Sequence, residues 1–197
     1  MSYSSLAGRK WNIMWGVRQV FFIIYYKYFK SGVKEVWMNE LFPVEIIGAD
    51  AMREFGVRMG ERLKSGDVVA LIGDLGAGKT HLTQGIALSK GYEGEVTSPT
   101  FALVNEYLAG DGGEVDVFHF DVYRLEAAEE MLEIGWEDYL DREGVVVIEW
   151  ADKFPELIPE GAWCVGIEHV VSREKQVDGS EAMLEGRRLV CEVLENC

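Results

Sequence analysis

Cysteine is scarce in this chain, and its few copies form no recognisable site. Three cysteines occur among the 197 residues, at Cys164, Cys191 and Cys197. No Cys-x-x-Cys pair is present, and the number is odd, so the sequence argues against both a zinc site and a disulfide framework. A protein without disulfides suits a reducing compartment, which predicts a cytoplasmic location.

Basic residues are also few. The chain has 19 Lys and Arg against 34 Asp and Glu, and its net charge is −15. Large nucleic-acid surfaces need clustered Lys and Arg to neutralise phosphates, so direct binding of a nucleic acid over a wide surface is not expected. Internal repeats and low-complexity tracts are absent from the sequence, and a chain of this length is most simply one domain.

A long uninterrupted apolar run is missing as well, even from the aromatic-rich segment 1–37. This segment has six basic residues and one acidic residue, opposite in charge to the rest. A membrane anchor needs about 20 mostly apolar residues, but Arg18 and Lys27 leave only eight uncharged positions between them. No small-residue cleavage site follows, as a signal peptide would require. Three interpretations remain: an interfacial or membrane-associated helix, a packed extension, or a start-site artefact outside the native protein.

The artefact is the favoured interpretation of the three. It predicts an atypical basic and aromatic extension over residues 1–37, followed by the working domain over residues 38–197. No stable association with a membrane is expected.

The most informative segment that is present is a phosphate-binding loop. Residues 73–80 read Gly-Asp-Leu-Gly-Ala-Gly-Lys-Thr and match G-x-x-x-x-G-K-[ST]. Glycines let such a loop wrap around phosphates, while backbone N–H groups and a helix N-terminus point at the negative charge. Lys79 is expected to reach the β- and γ-phosphates, and the Thr80 hydroxyl to bind Mg²⁺. The residues predicted to bind ATP here are Asp74, Leu75, Gly76, Ala77, Gly78, Lys79, Thr80 and His81.

The surrounding pattern predicts an α/β fold. An apolar run at 68–72 indicates a buried strand before the loop, and apolar residues at helical spacing indicate a helix after it, ending near Gly91. The fold class predicted is that of P-loop NTPases, a mixed, mostly parallel central sheet flanked by helices. The other predicted elements are a strand at 44–47, a helix from Asp50 to Lys64, a hairpin of strands 101–108 and 115–120, a helix at 126–140, a strand at 145–148, and tail strands 162–169 and 189–193 around a polar loop 170–186.

Glu149 ends the apolar strand 145–148, which is the pattern of a Walker B element. Ligands of open α/β sheets bind at the carboxyl ends of the strands. A carboxylate there can bind Mg²⁺ or orient an attacking water. An ordinary strand-end acid is the alternative, but a phosphate loop in the same chain favours the functional interpretation.

Residues 119–124 (His-Phe-Asp-Val-Tyr-Arg) form a second polar cluster. In an extended chain His119, Asp121 and Tyr123 lie on one face. The pattern favours a shell around a water or a metal, with a structural polar cluster as the alternative. Arg124 is a candidate arginine finger in cis, although a structural ion pair is the favoured interpretation.

Ser98-Pro99-Thr100-Phe101 follows the phosphate-loop helix, at the position of switch I in many P-loop NTPases. A threonine hydroxyl there can sense Mg²⁺ and the γ-phosphate. A simple turn before a strand, with proline fixing the entry, explains the segment equally well.

Together these motifs resemble the bacterial TsaE (YjeE-type) family. The resemblance rests on residues 73–80, 98–101, 119–125 and 148–152, in that order and spacing, and on Glu130–Leu140 and Pro155–Pro159. It covers about residues 45–193. It implies a small P-loop ATPase that acts with the TsaB and TsaD proteins in making N6-threonylcarbamoyladenosine in tRNAs that read ANN codons. The ATPase would not carry out the transfer itself, and tRNA would be reached only through the partners.

The resemblance also implies roles for single residues. Gly76 to Thr80 would bind nucleotide, and Thr80 with Glu149 would serve Mg²⁺. Asp121 and Trp150 would lie in the active site, and Thr100 in a switch-like loop. The catalytic candidates are therefore Glu149, Asp121 and Lys79, with either carboxylate able to orient the water.

Two rival functions remain at this stage. A small-molecule kinase uses the same loop but needs arginines in a lid, and only three arginines (Arg124, Arg142 and Arg173) lie between Arg62 and Arg187. A nucleotide-dependent switch or scaffold would bind ATP and hydrolyse it slowly. GTP is not excluded as the nucleotide, because no local signature identifies the base.

Overall fold

The structure, a computed structural model, describes residues 40–110, 115–175 and 181–193. The predicted extension 1–37 and Met38 lie outside the described residues, as does Cys197. No helix within the described ranges has the length and apolar character needed to cross a membrane.

A single seven-stranded sheet organises the described part of the chain. Its strand order is β1-β7-β6-β2-β5-β4-β3. The four central strands β6, β2, β5 and β4 run parallel, and the strands at both edges join antiparallel. The strands are β1 Val44–Ile46, β2 Val68–Gly73, β3 Val104–Tyr107, β4 Asp116–Asp121, β5 Gly144–Glu149, β6 Trp163–Lys175 and β7 Glu181–Val193.

Helices cover both faces of the sheet. Successive apolar side chains of a strand point to opposite faces, so each face has its own apolar cluster. On β2, Val69 and Leu71 face one cluster while Ala70 and Ile72 face the other. The first cluster packs against two longer helices, and the second against two short helices and two 3-10 turns. The helices are α1 Ala49–Gly60, α2 Lys79–Ser89, α3 Ala128–Glu133 and α4 Trp136–Asp141, and the turns are Ala151–Lys153 and Pro155–Leu157. The predicted class, a mixed and mostly parallel sheet flanked by helices, is confirmed.

Two helix predictions need correction. The helix expected to start at Asp50 has Gly48 as its N-cap and ends at Gly60, although the predicted apolar face is buried as far as Leu63. The single helix expected over 126–140 is two short helices, because Gly135 adopts a φ of 85° between them. Glycine enters this left-handed conformation without steric cost, and it ends α3 there.

The strand predictions were wrong in two places. The strand expected over 101–108 is only Val104–Tyr107, since residues 100–102 form a turn. The polar loop expected over 170–186 is instead the continuation of β6 and β7, which pair antiparallel from Trp163↔Val193 to Lys175↔Glu181. Backbone hydrogen bonds stabilise such a ribbon even where its side chains are polar. The polar sequence of this segment therefore predicted a loop rather than two strands.

Candidate nucleotide-binding site

The phosphate loop connects β2 to α2 at the carboxyl edge of the parallel strands. Its backbone requires glycine. Gly76 has a φ of 76°, and Gly78, the N-cap of α2, has a φ of 104°. A Cβ on Gly73 would lie 2.7 Å from the carbonyl oxygen of Ile167 on β6. The sequence therefore folds locally into a narrow cradle that leads into a helix N-terminus, and both features favour anions.

Lys79 is buried within this cradle. Its side chain is 4% exposed, and its Nζ donates hydrogen bonds to the carbonyl oxygens of Gly73 at 2.7 Å and Asp74 at 3.0 Å. The Nζ also lies 3.7 Å from the centre of the Trp150 ring. Burial lowers the pKa of Lys79, and nearby carboxylates, first Glu149 and Asp121, counter that shift. A desolvated ammonium in this position interacts strongly with any phosphate that enters the loop.

Glu149 ends β5 beside the loop and is 4% exposed. Its Oε1 accepts a hydrogen bond from the Thr80 hydroxyl at 2.9 Å and lies 2.9 Å from Nε2 of His119. Asp121 is the register partner of Glu149 on the neighbouring parallel strand β4. The structure thus brings together the ends of α2, β4 and β5, as expected from the sequence.

Asp121 binds the segment that resembles a switch. Its Oδ2 accepts hydrogen bonds from Ser98 at 2.5 Å and from Thr100 at 2.8 Å. Its Oδ1 accepts the backbone N–H of Tyr123 at 3.1 Å. The Thr100 hydroxyl is therefore at the site, linked to a strand-end carboxylate, while Phe101 beside it is 85% exposed.

Trp150 follows Glu149 in an unusual backbone conformation. Its φ is 64°, a left-handed value that is rare for a bulky residue. This turn places the indole over Lys79 and against the Tyr123 ring, with ring centres 4.8 Å apart. Strain of this kind is found where the surrounding structure requires a fixed side-chain position.

The remaining predicted residues lie along the rim of the cradle. Asp74, Leu75 and Gly76 are exposed at the tip of the loop, Ala77 is buried and His81 is half-buried in the first turn of α2. Arg124 lies with its guanidinium 4.2 Å from the centre of the Phe101 ring. Within the described ranges it forms no ion pair, so the favoured interpretation for Arg124 is not supported.

Four residues at the site had no individual role predicted from the sequence, although Ser98 and Asp152 lie in motifs identified there. Ser98 shares Asp121 with Thr100, and the hydroxyl of Tyr107 lies 3.3 Å from Nδ1 of His119. Arg187 donates from Nη2 to the carbonyl oxygen of Gly76 at 3.1 Å. The buried Oδ1 of Asp152 has no hydrogen-bond partner among the residues that the structure describes. No local signal identifies Arg187, because it reaches the loop only through the pairing of β7 across the sheet.

The donor set suits a magnesium nucleotide. Among the residues that the structure describes, no group of three or more His, Cys, Asp or Glu side chains is placed to hold a metal. Thr80 and Glu149 together offer oxygen ligands at one point, which is fewer than a dedicated protein cage provides. Mg²⁺ is commonly bound by one or two protein oxygens, with phosphates and waters completing its shell. The pair therefore fits a metal that arrives with the nucleotide.

Comparison with known proteins gives one consistent result. The family model described as "Threonylcarbamoyl adenosine biosynthesis protein TsaE" matches residues 47–177. The tRNA threonylcarbamoyladenosine biosynthesis protein TsaE of Nostoc sp. is 36% identical over 62% of this chain and 76% of its own length. The protein of the same name from Mycobacterium leprae is 38% identical over 69% and 83%.

A solved structure agrees with these sequence relatives. The crystal structure of YdiB from Bacillus subtilis superposes with a TM-score of 0.57 at 26% identity, covering 77% of this chain and 85% of that one. The motifs, the family match and the fold lead to one conclusion: the chain belongs to the TsaE family of threonylcarbamoyl adenosine biosynthesis proteins.

Proposed function

We propose that the chain binds ATP with Mg²⁺ in the cradle of residues 73–80 and hydrolyses it in support of tRNA threonylcarbamoyladenosine synthesis. The role in this biosynthesis follows from membership of the family. ATP hydrolysis, the metal and the partner proteins are the proposed additions, and each is argued from the site.

One observation carries the proposal. The Thr80 hydroxyl, at the first turn of the phosphate-loop helix, is hydrogen-bonded at 2.9 Å to Glu149, at the end of a parallel strand. A hydroxyl and a carboxylate in this relation are the protein's share of a magnesium site in P-loop NTPases. A hydroxyl and a carboxylate at this place suit a metal bound to phosphates, and recognition of an adenine ring alone would not need them.

The residues of the candidate site have different roles in this proposal. The loop N–H groups and Lys79 bind the phosphates, and Thr80 and Glu149 would hold the metal. Bound Mg²⁺ would neutralise charge on the phosphate oxygens. Asp121 fixes the segment that carries Thr100, and Trp150 covers the lysine and limits the water around it.

The charge distribution supports action through partners. Residues 38–197 contain 13 basic and 33 acidic residues. This excess of negative charge disfavours direct binding of tRNA, and an acidic surface is complementary to a basic patch on a partner protein. We therefore propose that TsaB and TsaD bring the RNA and complete the ATPase site.

A small-molecule kinase is the weaker alternative. A kinase needs arginines free to clamp the transferred phosphoryl group. Arg142 is instead bound to both carboxylate oxygens of Glu106, at 2.7 and 2.9 Å, and Arg124 lies on the Phe101 ring. Arg142, one of the three arginines that a lid would use, is therefore already paired, and Arg124 contacts an exposed aromatic ring.

The proposal is tested by reconstitution with TsaB, TsaD, tRNA, ATP and the threonylcarbamoyl donor that the two partners use. We expect many modified tRNAs per partner complex when the chain is present, and few when it is omitted or replaced by Lys79→Ala. Equal modification with and without the chain would refute the role. Phosphorylation of a metabolite by the chain alone would favour the kinase.

A further inference from the structure

A buried hydrogen-bond chain leads away from Glu149 on the side opposite the phosphate loop. It runs from Glu149 through His119 and Tyr107 to the backbone carbonyl of Thr97. We propose that His119 is a positioning residue that orients Glu149 for ATP hydrolysis, and that Tyr107 ties this orientation to segment 97–100. The inference rests on the proposed ATPase function and extends it to two residues outside the phosphate loop.

The sheet register explains why these side chains meet. His119 lies on β4, paired with Asn105 of β3 on one side and Val147 of β5 on the other. Tyr107 is two residues beyond Asn105, and Glu149 is two residues beyond Val147. Residues two apart on a strand share a face, so His119 has one partner on each neighbouring strand.

Because the side chains of this hydrogen-bond chain are buried, its hydrogen bonds matter for the stability of the fold. His119 is completely buried, and Tyr107 and Glu149 are each 4% exposed. An unpaired polar group at such a position destabilises the fold. The two ring nitrogens of His119 have polar partners at 2.9 and 3.3 Å, which favours one ring orientation.

The direction of each hydrogen bond follows from the groups involved. An ionised carboxylate only accepts hydrogen bonds, so Nε2 of His119 donates to Oε1 of Glu149. In the neutral ring Nδ1 is then an acceptor. The Tyr107 hydroxyl has one proton and two acceptors in reach, Nδ1 of His119 at 3.3 Å and the Thr97 carbonyl at 2.9 Å.

The shared proton of the Tyr107 hydroxyl links segment 97–100, through His119, to the Glu149 carboxylate. While Thr97 stays in place, the tyrosine donates mainly to the shorter of its two bonds. If segment 97–100 moves, the same proton is released to His119. The position of the segment that carries Ser98 and Thr100 is thereby sensed at the residue that holds Glu149.

The contacts of Glu149 occupy one of its two carboxylate oxygens. Thr80 and His119 both donate to Oε1. Across the described residues, no hydrogen bond to Oε2 is present. A carboxylate fixed through one oxygen keeps the other available for a water or a metal, in an orientation that does not have to be found anew in each turnover.

A merely structural histidine would make different predictions, which variants can separate. His119→Leu removes the donor to Glu149, whereas His119→Gln keeps an amide donor at a similar distance from the backbone. Tyr107→Phe removes the hydroxyl that links His119 to segment 97–100. Tyr139→Phe is the matched control, because Tyr139 also loses one hydroxyl bond, to Glu106 at 2.7 Å, but on the other side of the sheet.

We expect His119→Leu to lower kcat for ATP hydrolysis roughly tenfold or more, with KM and the affinity for a non-hydrolysable ATP analogue changed by less than about twofold. His119→Gln should recover part of the loss. Tyr107→Phe should lower kcat by about threefold, and Tyr139→Phe should leave it unchanged. Thermal melting of each variant identifies loss by unfolding, and His119→Gln and Tyr107→Phe test the proposal if the leucine variant does not fold.

A double-mutant cycle with Glu149→Gln completes the test. If His119 acts through Glu149, adding His119→Leu to Glu149→Gln should slow single-turnover hydrolysis by less than about twofold further. Multiplicative losses, or a folded His119→Leu protein with normal kcat, would overturn the positioning role. A wild-type protein that hydrolyses no ATP, alone or with TsaB and TsaD, would instead overturn the proposed function.

Discussion

The Thr80 hydroxyl and the Glu149 carboxylate are hydrogen-bonded at 2.9 Å across 69 positions of sequence. The bond joins the phosphate-loop helix to the end of β5. His119 contacts the same Oε1, so Glu149 lies at the junction of the phosphate loop and the buried hydrogen-bond chain that ends at Thr97.

Glu149→Gln should bind ATP with nearly normal affinity and hydrolyse it at least about a hundredfold more slowly. The amide keeps the shape of the side chain but loses the charge that serves metal or water. Steady-state turnover and equilibrium binding of a fluorescent ATP analogue check the two halves separately. Glu106→Gln, a strand carboxylate remote from the loop, is the control. Unchanged turnover in Glu149→Gln would show that this residue is only a strand-end acid.

Lys79→Ala should abolish hydrolysis and weaken nucleotide binding while the fold persists. The lysine charge is proposed to contact the phosphates, and burial lowers the pKa of Lys79. Lys90→Ala is a matched control, since Lys90 is also buried and donates to the Leu63 carbonyl at 2.6 Å. That variant should lose about 1–3 kcal/mol of unfolding free energy and keep its turnover. Isothermal calorimetry with ATP and chemical denaturation measure both effects, and a folded Lys79→Ala enzyme with near-normal turnover would contradict the site.

Thr100→Val and Ser98→Ala distinguish a nucleotide sensor from a simple turn. Both hydroxyls donate to Oδ2 of Asp121, so a purely structural segment would respond alike to the two changes. If Thr100 senses the γ-phosphate, Thr100→Val should weaken binding of the ATP analogue about tenfold and leave ADP binding unchanged. Ser98→Ala should affect neither by more than about twofold. Equal effects of the two variants on ATP and ADP would favour the turn.

The sequence indicated which residues lie together at the candidate site better than it predicted the periphery of the fold, and the reason is physical. The roles of those residues stay predictions. The phosphate loop, Asp121 and Glu149 are each placed by a local rule, a glycine pattern or the end of an apolar strand. The β6–β7 ribbon is stabilised by backbone pairing between distant residues, so its polar stretch looked like a loop. Arg187 and Tyr107 reach the site only through that kind of cross-strand register, which no short motif records.

Stability should depend on pH through Glu106. Hydrogen bonds from Arg142 and Tyr139 lower the pKa of Glu106 from 4.5 to about 2. Between these values the unfolded chain binds the proton and the folded protein does not, so the contribution is complete above about pH 4.5 and is lost as the pH falls toward 2. Because the pair is partly exposed, solvent screening reduces it to about 1 kcal/mol.

Urea unfolding of wild type and Glu106→Gln over this pH range measures that contribution. The two free energies of unfolding should differ at pH 7 and converge as the pH falls to about 2. A difference that stayed constant with pH would show that the charge of Glu106 is not the cause.

ATP turnover by the purified chain, measured alone and with TsaB and TsaD, tests the central claim most directly. The candidate site has groups suited to phosphate and metal, but Arg124 lies on Phe101 and Arg187 is bonded to a loop carbonyl. We therefore predict slow hydrolysis by the chain alone and a rise of about tenfold or more with both partners, because a group supplied in trans completes many P-loop sites. The rise should disappear in Glu149→Gln. Full-speed hydrolysis without partners, or a partner-dependent rise that Glu149→Gln retains, would contradict the account.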